Sequence, residues 1–449
     1  MSEYNTCIVG AGLCGSMLAV RLAQRGFKVS IFEKRVDLRK HEISAGRSIN
    51  LALSDRGLKA LEMVGATELI QPLCIPMLGR LIHDKEGHTT FLPYSGRSGE
   101  YINSISRGGL NAVLLDLAER IGGIDLFFEH ECIGVDYINK TVKFRNNSGN
   151  IVEQKPDMVY GTDGAGSAVR RSMMKHSNEL LFNFSQHYLE HGYKELSIPP
   201  DEKGCHKIEK NALHIWPRGS YMVIALPNLD GSFTVTMFHP FDGPQGFRQL
   251  DTAEKARQLF EEQFPDILPL MPDFDNEFFE NPTSSLGTIK CYPWNAFNFS
   301  LLLGDAAHAI VPFYGQGMNA SFEDVWVLDH LLEQGVKTNE ELFQKFQQTR
   351  KKDADAIADL AIDNFYEMRD HVANPVFMKK RALETRLEQT YPDYFSKYSL
   401  VTFNEDIPYS EAMHRGRLQD QYLLSICEKD AFLSMTDEEI LENLQKFAN

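Results

Sequence analysis

Long apolar runs are missing from this chain of 449 residues. None approaches the ~20 residues that a helix needs to cross a bilayer, so no membrane segment is expected. Positive charge is also in deficit: Lys and Arg number 46 against 62 Asp and Glu, and the net charge of −16 makes nucleic acid or an anionic membrane a poor partner. The seven cysteines (Cys7, Cys14, Cys74, Cys132, Cys205, Cys291, Cys427) are odd in number, scattered and never in a C-x-x-C arrangement. That pattern offers neither a disulfide framework nor a metal site, and it fits a reducing compartment. The N-terminus lacks the basic and apolar regions of a secretory signal, so the expected location is the cytoplasm. Repeats and low-complexity tracts are absent, and the length allows two or three domains.

What the chain does have is a glycine pattern at its start. In TCIVGAGLCGSMLAVRLAQRGFKVSIFEK an apolar strand (Cys7, Ile8, Val9) runs into Gly10, Gly12 and Gly15, a helix-period segment stops at Gly26, and a second strand ends on Glu33. This predicts a dinucleotide-binding βαβ unit. Gly10 permits the tight turn, Gly12 lets the backbone approach a pyrophosphate, and Gly15 lets helix and strand pack closely. The free N–H groups and macrodipole of the helix N-terminus favour the anion. Glu33 stands where a carboxylate accepts from ribose hydroxyls. Lys34 and Arg35 either flank the adenosine or are surface charge, and one such unit holds NAD or FAD equally well.

Further along, 46 to 53 (GRSINLAL) reads as an apolar segment entered by Arg47, and 78 to 83 with 89 to 94 as a hairpin closed by DKEG. Leu110, Val113, Leu114, Leu117 and Ile121 mark a helix beginning at Arg107 and ended by Gly122-Gly123. Residues 156 to 171 place a strand before a second glycine-bearing loop. The runs ALHIW, YMVIAL and SFTVTMF between 193 and 240 predict an inserted antiparallel sheet. Another buried strand (299 to 304) precedes GDAAHAIVPFYGQGMNA, and the chain from about 338 onward reads as helical.

Gly161-Thr162-Asp163-Gly164 and Gly304-Asp305-Ala306-Ala307-His308 resemble the two further fingerprints of the single-component FAD-dependent aromatic hydroxylases. The resemblance implies an α/β fold: a Rossmann-like FAD-binding domain of the para-hydroxybenzoate hydroxylase type, an inserted antiparallel β-sheet substrate domain and a C-terminal helical region. The expected FAD-binding parts are 1–72, 97–180 and 283–372, with 73–96 and 181–282 forming the substrate domain and 373–449 the helical region. Asp305 is expected on the ribityl chain. Asp163 supports FAD and the path of the nicotinamide, or else is a turn aspartate before a helix. Gly317, Met318 and Asn319 offer backbone N–H groups to the flavin pyrimidine, where a helix N-terminus stabilises charge on the reduced ring. Arg107 reaches the phosphate or ribityl region, and Ala52 joins the same cofactor set. No second Gly-x-Gly-x-x-Gly follows a strand, which matches transient use of NADPH.

Within that class the likeness narrows to the branch acting on kynurenine, through GRSINLALSDRG (46 to 57), GRLIH (79 to 83), LPYSG (92 to 96), INSISRGGLN (102 to 111), HGYKEL (191 to 196), residues 211 to 238, LLGDAAHAIVPFYGQGMN (302 to 319), DNFYEM (363 to 368) and KYSLVTF (397 to 403). The implied reaction is NADPH- and O2-dependent hydroxylation of L-kynurenine to 3-hydroxykynurenine through a flavin C4a-hydroperoxide, in tryptophan degradation and NAD precursor synthesis. No catalytic side chain and no metal are expected, because the chemistry is carried by the flavin. Arg80 suits the substrate carboxylate, since a guanidinium fork makes two charge-assisted hydrogen bonds. Tyr94, at the end of the second hairpin strand, shares that anion, and Asn364 and Tyr398 resemble further polar contacts. Leu213, Ile224, Phe238 and Phe313 are the apolar lining expected under the aniline ring, period-2 alternation placing sheet residues of this set on one face. Tyr314 stands where the family usually has histidine. The competing readings are another aromatic hydroxylase taking a hydroxybenzoate or phenol, and a non-catalytic nucleotide-binding protein. A flavin halogenase is disfavoured because Trp216, Trp294 and Trp326 form no W-x-W element.

Overall fold

The computed structural model describes residues 5–40, 50–336, 338–371 and 374–448. The strand Asn5–Val9 turns at Gly10 (φ +101°) into the helix Leu13–Gln24, which returns through the strand Lys28–Phe32. These strands sit in a six-stranded sheet ordered Asn295–Ala296, Ser300–Leu302, Met158–Gly161, Asn5–Val9, Lys28–Phe32 and Ile124–Phe127. All neighbours are parallel except at the Asn295–Ala296 edge. Register decides the consequence: Val9 lies beside Gly161, and Gly161 beside Leu302. The three glycine-bearing loops, far apart in sequence, therefore leave the sheet at one carboxyl edge, where open α/β sheets bind ligands.

The second large sheet has seven strands: Ser284–Tyr292, Asn183–Ile198, Phe233–Pro240, Met222–Pro227, Ala212–Pro217, Gly79–His83 and Thr89–Pro93. Its pairings set Glu195, Thr236, Ile224, Ile215 and Ile82 in one row across the sheet, and Ser197, Thr234, Leu226, Leu213 and Arg80 in another. Residues two apart on a strand share a face, so these rows cover a single side. The opposite side, with Leu196, Ile198, Trp216, Val223 and Val235, packs on the helices Ala253–Gln263 and Phe274–Glu280. The predicted alternation is thus present, one face being structural and the other turned to the nucleotide-binding half.

The strand Ile102–Ser106 pairs with Asn50–Leu53 on one side and Cys74–Met77 on the other in a small antiparallel sheet, so Cys74–Met77 is hydrogen-bonded to a strand of the stretch expected to bind FAD. The antiparallel sheet of His130–Asp136, Thr141–Asn146 and Ile151–Gln154 was not anticipated, because its short strands are half exposed and carry little apolar alternation. The start of the GRSINLAL segment, 46 to 49, lies outside the described residues, and its remainder, Asn50–Leu53, is a strand. Toward the C-terminus the helices Asn339–Tyr366, Pro375–Thr390, Lys397–Thr402, Tyr409–Glu428 and Asp437–Ala448 pack together. Among the described residues no helix is long and apolar enough to cross a membrane.

Close packing in the first loop leaves no room for a side chain at Gly15: a Cβ there would lie 2.0 Å from the Gly10 carbonyl oxygen and 2.5 Å from Thr162 Oγ1. Backbone cannot yield as a flexible side chain would. Gly15→Ala is expected to cost on the order of 1–3 kcal/mol of overpacking and to abolish FAD retention. Flavin absorbance of the purified variant and its thermal midpoint check both.

Candidate active site

The nucleotide end follows from the loop geometry. A Cβ built on Gly12 meets nothing within 4 Å, and the first turn of the Leu13–Gln24 helix has no side-chain cap. Open space in front of uncapped N–H groups is the shape a pyrophosphate needs. Glu33, 7% exposed, accepts from the backbone N–H of Ala11 (3.0 Å) and from the N–H and Nε of Arg35, keeping further lone pairs for a ribose. Lys34 is exposed and makes no such contact, whereas Arg35 is tied to Glu33. Arg107 is exposed at the start of its helix, and Asp305 is exposed at the head of the third loop.

Asp163 does something more local than expected. Its Oδ2 accepts from the N–H groups of Ala168 (2.6 Å) and Val169 (3.3 Å), closing the start of the helix Ala168–Met174. Its Oδ1 is buried without a partner, and burial raises its pKa. Thr162 Oγ1 lies 2.9 Å from the carbonyl oxygens of both Val9 and Gly10. This second loop therefore braces the first.

The third loop is held from behind by Asp324, which is fully buried. Its Oδ2 accepts from the Gly304 N–H (2.8 Å) and lies 2.6 Å from His308 Nε2, while its Oδ1 accepts from Arg350 Nε (2.8 Å). Burial would raise the carboxyl, but His308 and Arg350 outweigh it and hold it down to about 2. The adjoining loop then runs through Pro312–Tyr314 to the helix Gly317–Glu333. Gly315 (φ +68°) has no alternative there, because a Cβ would press on Ala52 Cβ at 2.8 Å. The Asn319 side chain staples this turn, its amide donating to the Ala52 and Gly315 carbonyls and its oxygen accepting from Ser54 N–H.

The polar end of the pocket is built around Arg80, 8% exposed on the Gly79–His83 strand. Among the described residues its nearest carboxylate oxygen is Glu367 Oε1 at 3.9 Å, and its Nε has no partner. The guanidinium faces the rings of Tyr398 (4.8 Å) and Tyr94 (5.9 Å). Tyr94, Tyr398 and Tyr314 form a column, with centroids 5.4 Å apart at each step and interplanar angles of 9° and 14°. Burial pushes all three phenols up, so they remain neutral donors. Around Arg80 the cations Lys380, Arg381 and Lys397 pair with Glu367, Glu384 and Asp420, Lys397 lying 3.3 Å from Glu367 and Lys380 2.5 Å from Asp420. Four cations thus share three carboxylates, and the one left over is Arg80.

Beside this lies an apolar patch. Phe238 and Phe313 are 4.8 Å apart, Phe313 and Phe365 4.4 Å, and Leu213 and Ile224 pack from the sheet. Asn364 lies here, but its amide donates to the Phe313 carbonyl (2.6 Å), so it steadies the loop as well as bordering the pocket.

Residues 3–188 and 292–361 match the FAD binding domain family. A kynurenine 3-monooxygenase of Myxococcus xanthus is 45% identical, the match covering 94% of this chain and 90% of the relative. The kynurenine 3-monooxygenase of Flavobacterium johnsoniae is 43% identical over 99% of this chain and 100% of its own. The chain belongs to the kynurenine 3-monooxygenase family. The fold alone is shared with 2-methyl-3-hydroxypyridine-5-carboxylic acid oxygenase (TM-score 0.67, 20% identity, 88% of this chain and 99% of that one). It is also shared with a probable FAD-dependent monooxygenase from Pseudomonas aeruginosa (TM-score 0.61, 18% identity, 82% and 97% covered).

As a member of that family the protein is an FAD-dependent monooxygenase, and its glycine loops, Glu33 and Asp305 fit the cofactor. The structure brings Arg80, Tyr94 and Tyr398 together as the spacing and resemblance implied. It adds Glu367, Lys397, Lys380 and Asp420, which sequence reasoning passed over. Glu367 was within reach, since it follows Asn364 by three residues on one helical face.

Asp324 generates a pH prediction. Its folded pKa, about 2, lies below the ordinary 3.8, so its stabilisation is complete above 3.8 and disappears as pH falls toward 2. Asp324→Asn should cost about 3–5 kcal/mol by removing the buried carboxylate to which Arg350 Nε and the Gly304 N–H donate. Denaturant titrations from pH 7 down to 2 should show the acid dependence flattened in the variant.

Proposed function

We propose that this monooxygenase hydroxylates L-kynurenine at the ring carbon beside the amino group, giving 3-hydroxykynurenine with NADPH and O2 consumed. The observation that carries the reading is the buried, under-neutralised guanidinium of Arg80 facing two stacked tyrosines. An uncompensated buried cation is costly, and the carboxylate of an amino-acid substrate relieves it with a two-pronged hydrogen bond. Glu367, next to Arg80, answers the ammonium of the same headgroup. A hydroxybenzoate would satisfy Arg80 but offer nothing to Glu367.

When bound, FAD would supply the redox chemistry, taking two electrons from NADPH and passing one oxygen atom of O2 to the substrate, the other leaving as water. The chain's own residues bind, orient and keep water out. The N-terminal loop takes the pyrophosphate, Glu33 the ribose, Asp305 the ribityl chain, and the N–H groups of Gly317, Met318 and Asn319 the pyrimidine edge. With the headgroup held at Arg80, Tyr94 and Tyr398, the aryl ring extends over Leu213, Ile224 and Phe238. Phe313 closes that patch from the cofactor side, and its dryness protects a reaction that water would divert. The amino group of the ring donates electrons to its ortho carbon, so no side-chain nucleophile is required. The reading places the enzyme in the reducing cytoplasm, supported by seven cysteines that are all free.

Arg80→Ala should weaken kynurenine binding by about thirtyfold or more, given ~2–5 kcal/mol for truncating one partner of a buried charge pair. Lysine at the same position should rescue only in part, and FAD content should remain that of the wild type. Titration of the flavin spectrum with kynurenine measures the affinity. Equal affinity in wild type and Arg80→Ala would remove the carboxylate's partner, and preferential turnover of para-hydroxybenzoate would favour the other hydroxylase reading.

A further inference from the structure

Glu388 is a buried carboxylate with no task in the reaction just described. It lies one turn beyond Glu384, near the end of the helix Pro375–Thr390, and is 2% exposed. Lys380, Arg381 and Glu384 of that helix line the pocket beside Arg80, and Glu388 is not among the lining residues. Its two oxygens are nevertheless both used. Oε2 accepts from the Gly96 N–H and Oε1 from the Ser396 N–H, each at 2.9 Å. Neither amide belongs to a strand or a helix: Gly96 follows the strand Thr89–Pro93, and Ser396 caps the helix Lys397–Thr402. Regular structure leaves both donors without a partner, and Glu388 supplies it.

These two amides flank the two rings of the headgroup site. Tyr94 precedes Gly96 by two residues and Tyr398 follows Ser396 by two, and the rings stack at 5.4 Å with 9° between their planes. Tyr94 comes from the hairpin and Tyr398 from the C-terminal helices, so nothing local in the chain sets the spacing of the pair. Other contacts close the same seam. Arg381 donates to the carbonyls of Pro93 (3.2 Å) and Tyr94 (3.4 Å). Arg97 donates to the carbonyls of Pro392 (3.2 Å) and Tyr394, lies over the Phe395 ring at 3.8 Å, and brings Nη1 to 3.7 Å from Glu388 Oε1. Gly96 is pressed so closely on the helix that a Cβ there would lie 2.3 Å from the Thr385 carbonyl oxygen. Among these groups Glu388 is the one that holds both backbones from a single planar carboxylate.

We propose that Glu388 is a positioning residue for the substrate headgroup: by holding the Gly96 and Ser396 amides at a fixed separation, it sets the place from which the Tyr94 and Tyr398 hydroxyls meet the kynurenine carboxylate beside Arg80. The inference rests on the proposed reading of that pocket. A carboxylate suits the task because it accepts at both oxygens, whereas a carboxamide accepts at one and donates at the other. Hydrogen bonds to an ionised acceptor are also stronger than neutral ones, so the two segments are held firmly. Binding groups need to stay within about 0.5 Å of their productive geometry, and hydrogen bonds from behind are what keep them there.

Glu388→Gln in the full-length, FAD-loaded enzyme tests this, kynurenine affinity being read from titration of the flavin spectrum. One acceptor becomes a donor facing a donor, so binding should weaken by about tenfold, with FAD content unchanged. Glu388→Asp keeps the charge beside Arg97 but is one methylene too short to span both amides, and a similar loss is expected. A double-mutant cycle separates positioning from a general loosening of the fold. In a Tyr94→Phe/Tyr398→Phe background the hydroxyls that Glu388 places are gone, and Glu388→Gln should change kynurenine affinity by less than about twofold. Residue-resolved hydrogen exchange on the wild-type enzyme should find the Gly96 and Ser396 amides protected, a measurement that needs no variant to fold. Unchanged affinity in Glu388→Gln, the same loss in both backgrounds, or rapid exchange at either amide would overturn the role of Glu388. Wild-type enzyme that carries FAD but binds no kynurenine would overturn the functional reading instead.

Discussion

A chain of buried charge running from Asp324 to Arg56 fixes the distance between the two ends of the site. Asp324 binds the Gly304 N–H and Arg350, and Arg350 donates to Glu323 (2.6 Å). Glu323 accepts from Arg56 (2.7 Å), and Arg56 donates to the carbonyls of Val401 (3.0 Å) and Asn404 (2.9 Å). Val401 belongs to the short helix that carries Tyr398. The loop at Gly304 and the helix that carries Tyr398 are therefore linked through four side chains with little freedom. Charged hydrogen bonds in a low-dielectric interior resist displacement more than apolar contacts do. Tyr409 strengthens the same corner, its ring lying 4.0 Å from the Arg56 guanidinium and its hydroxyl donating to Gln316 (2.8 Å).

The same reasoning separates two kinds of buried arginine in this molecule. Arg350 has two carboxylates and a carbonyl within bonding distance, so its charge is spent on structure. Arg80 is almost as well buried, but its one carboxylate stands at 3.9 Å and its Nε is bare. Selection for stability alone would have filled that gap or removed the charge. A site that must bind and release an anion has to leave its counter-charge incomplete. The aromatic faces of Tyr94 and Tyr398 soften the cost without occupying the position a carboxylate takes.

Much of this was legible in the sequence because the cofactor imposes local backbone rules. Gly10, Gly12 and Gly15 are each required by one contact or by one open space, and Glu33 follows at a fixed spacing. Alternation in ALHIW, YMVIAL and SFTVTMF likewise predicted which residues share a face, and pairing of Leu213 with Arg80 extends that face to the hairpin. What stayed hidden depends on contacts between distant segments. Nothing local distinguishes Asp163 as a helix-capping brace from Asp163 as a ligand. The surplus cation at Arg80 exists only when Lys380, Glu384, Lys397 and Asp420 from three C-terminal helices are counted around it. The three-stranded sheet from His130 to Gln154 was missed for a different reason: half-exposed strands carry weak hydrophobic pattern.

The column of Tyr94, Tyr398 and Tyr314 joins the hairpin to the third glycine-bearing loop. Tyr314 keeps an aromatic plane stacked on Tyr398. Burial pushes its phenol well above the ordinary range. A neutral hydroxyl donates a hydrogen bond but does not change charge across physiological pH. The column ties Tyr94, on the hairpin, through Tyr398 to the turn that carries Phe313.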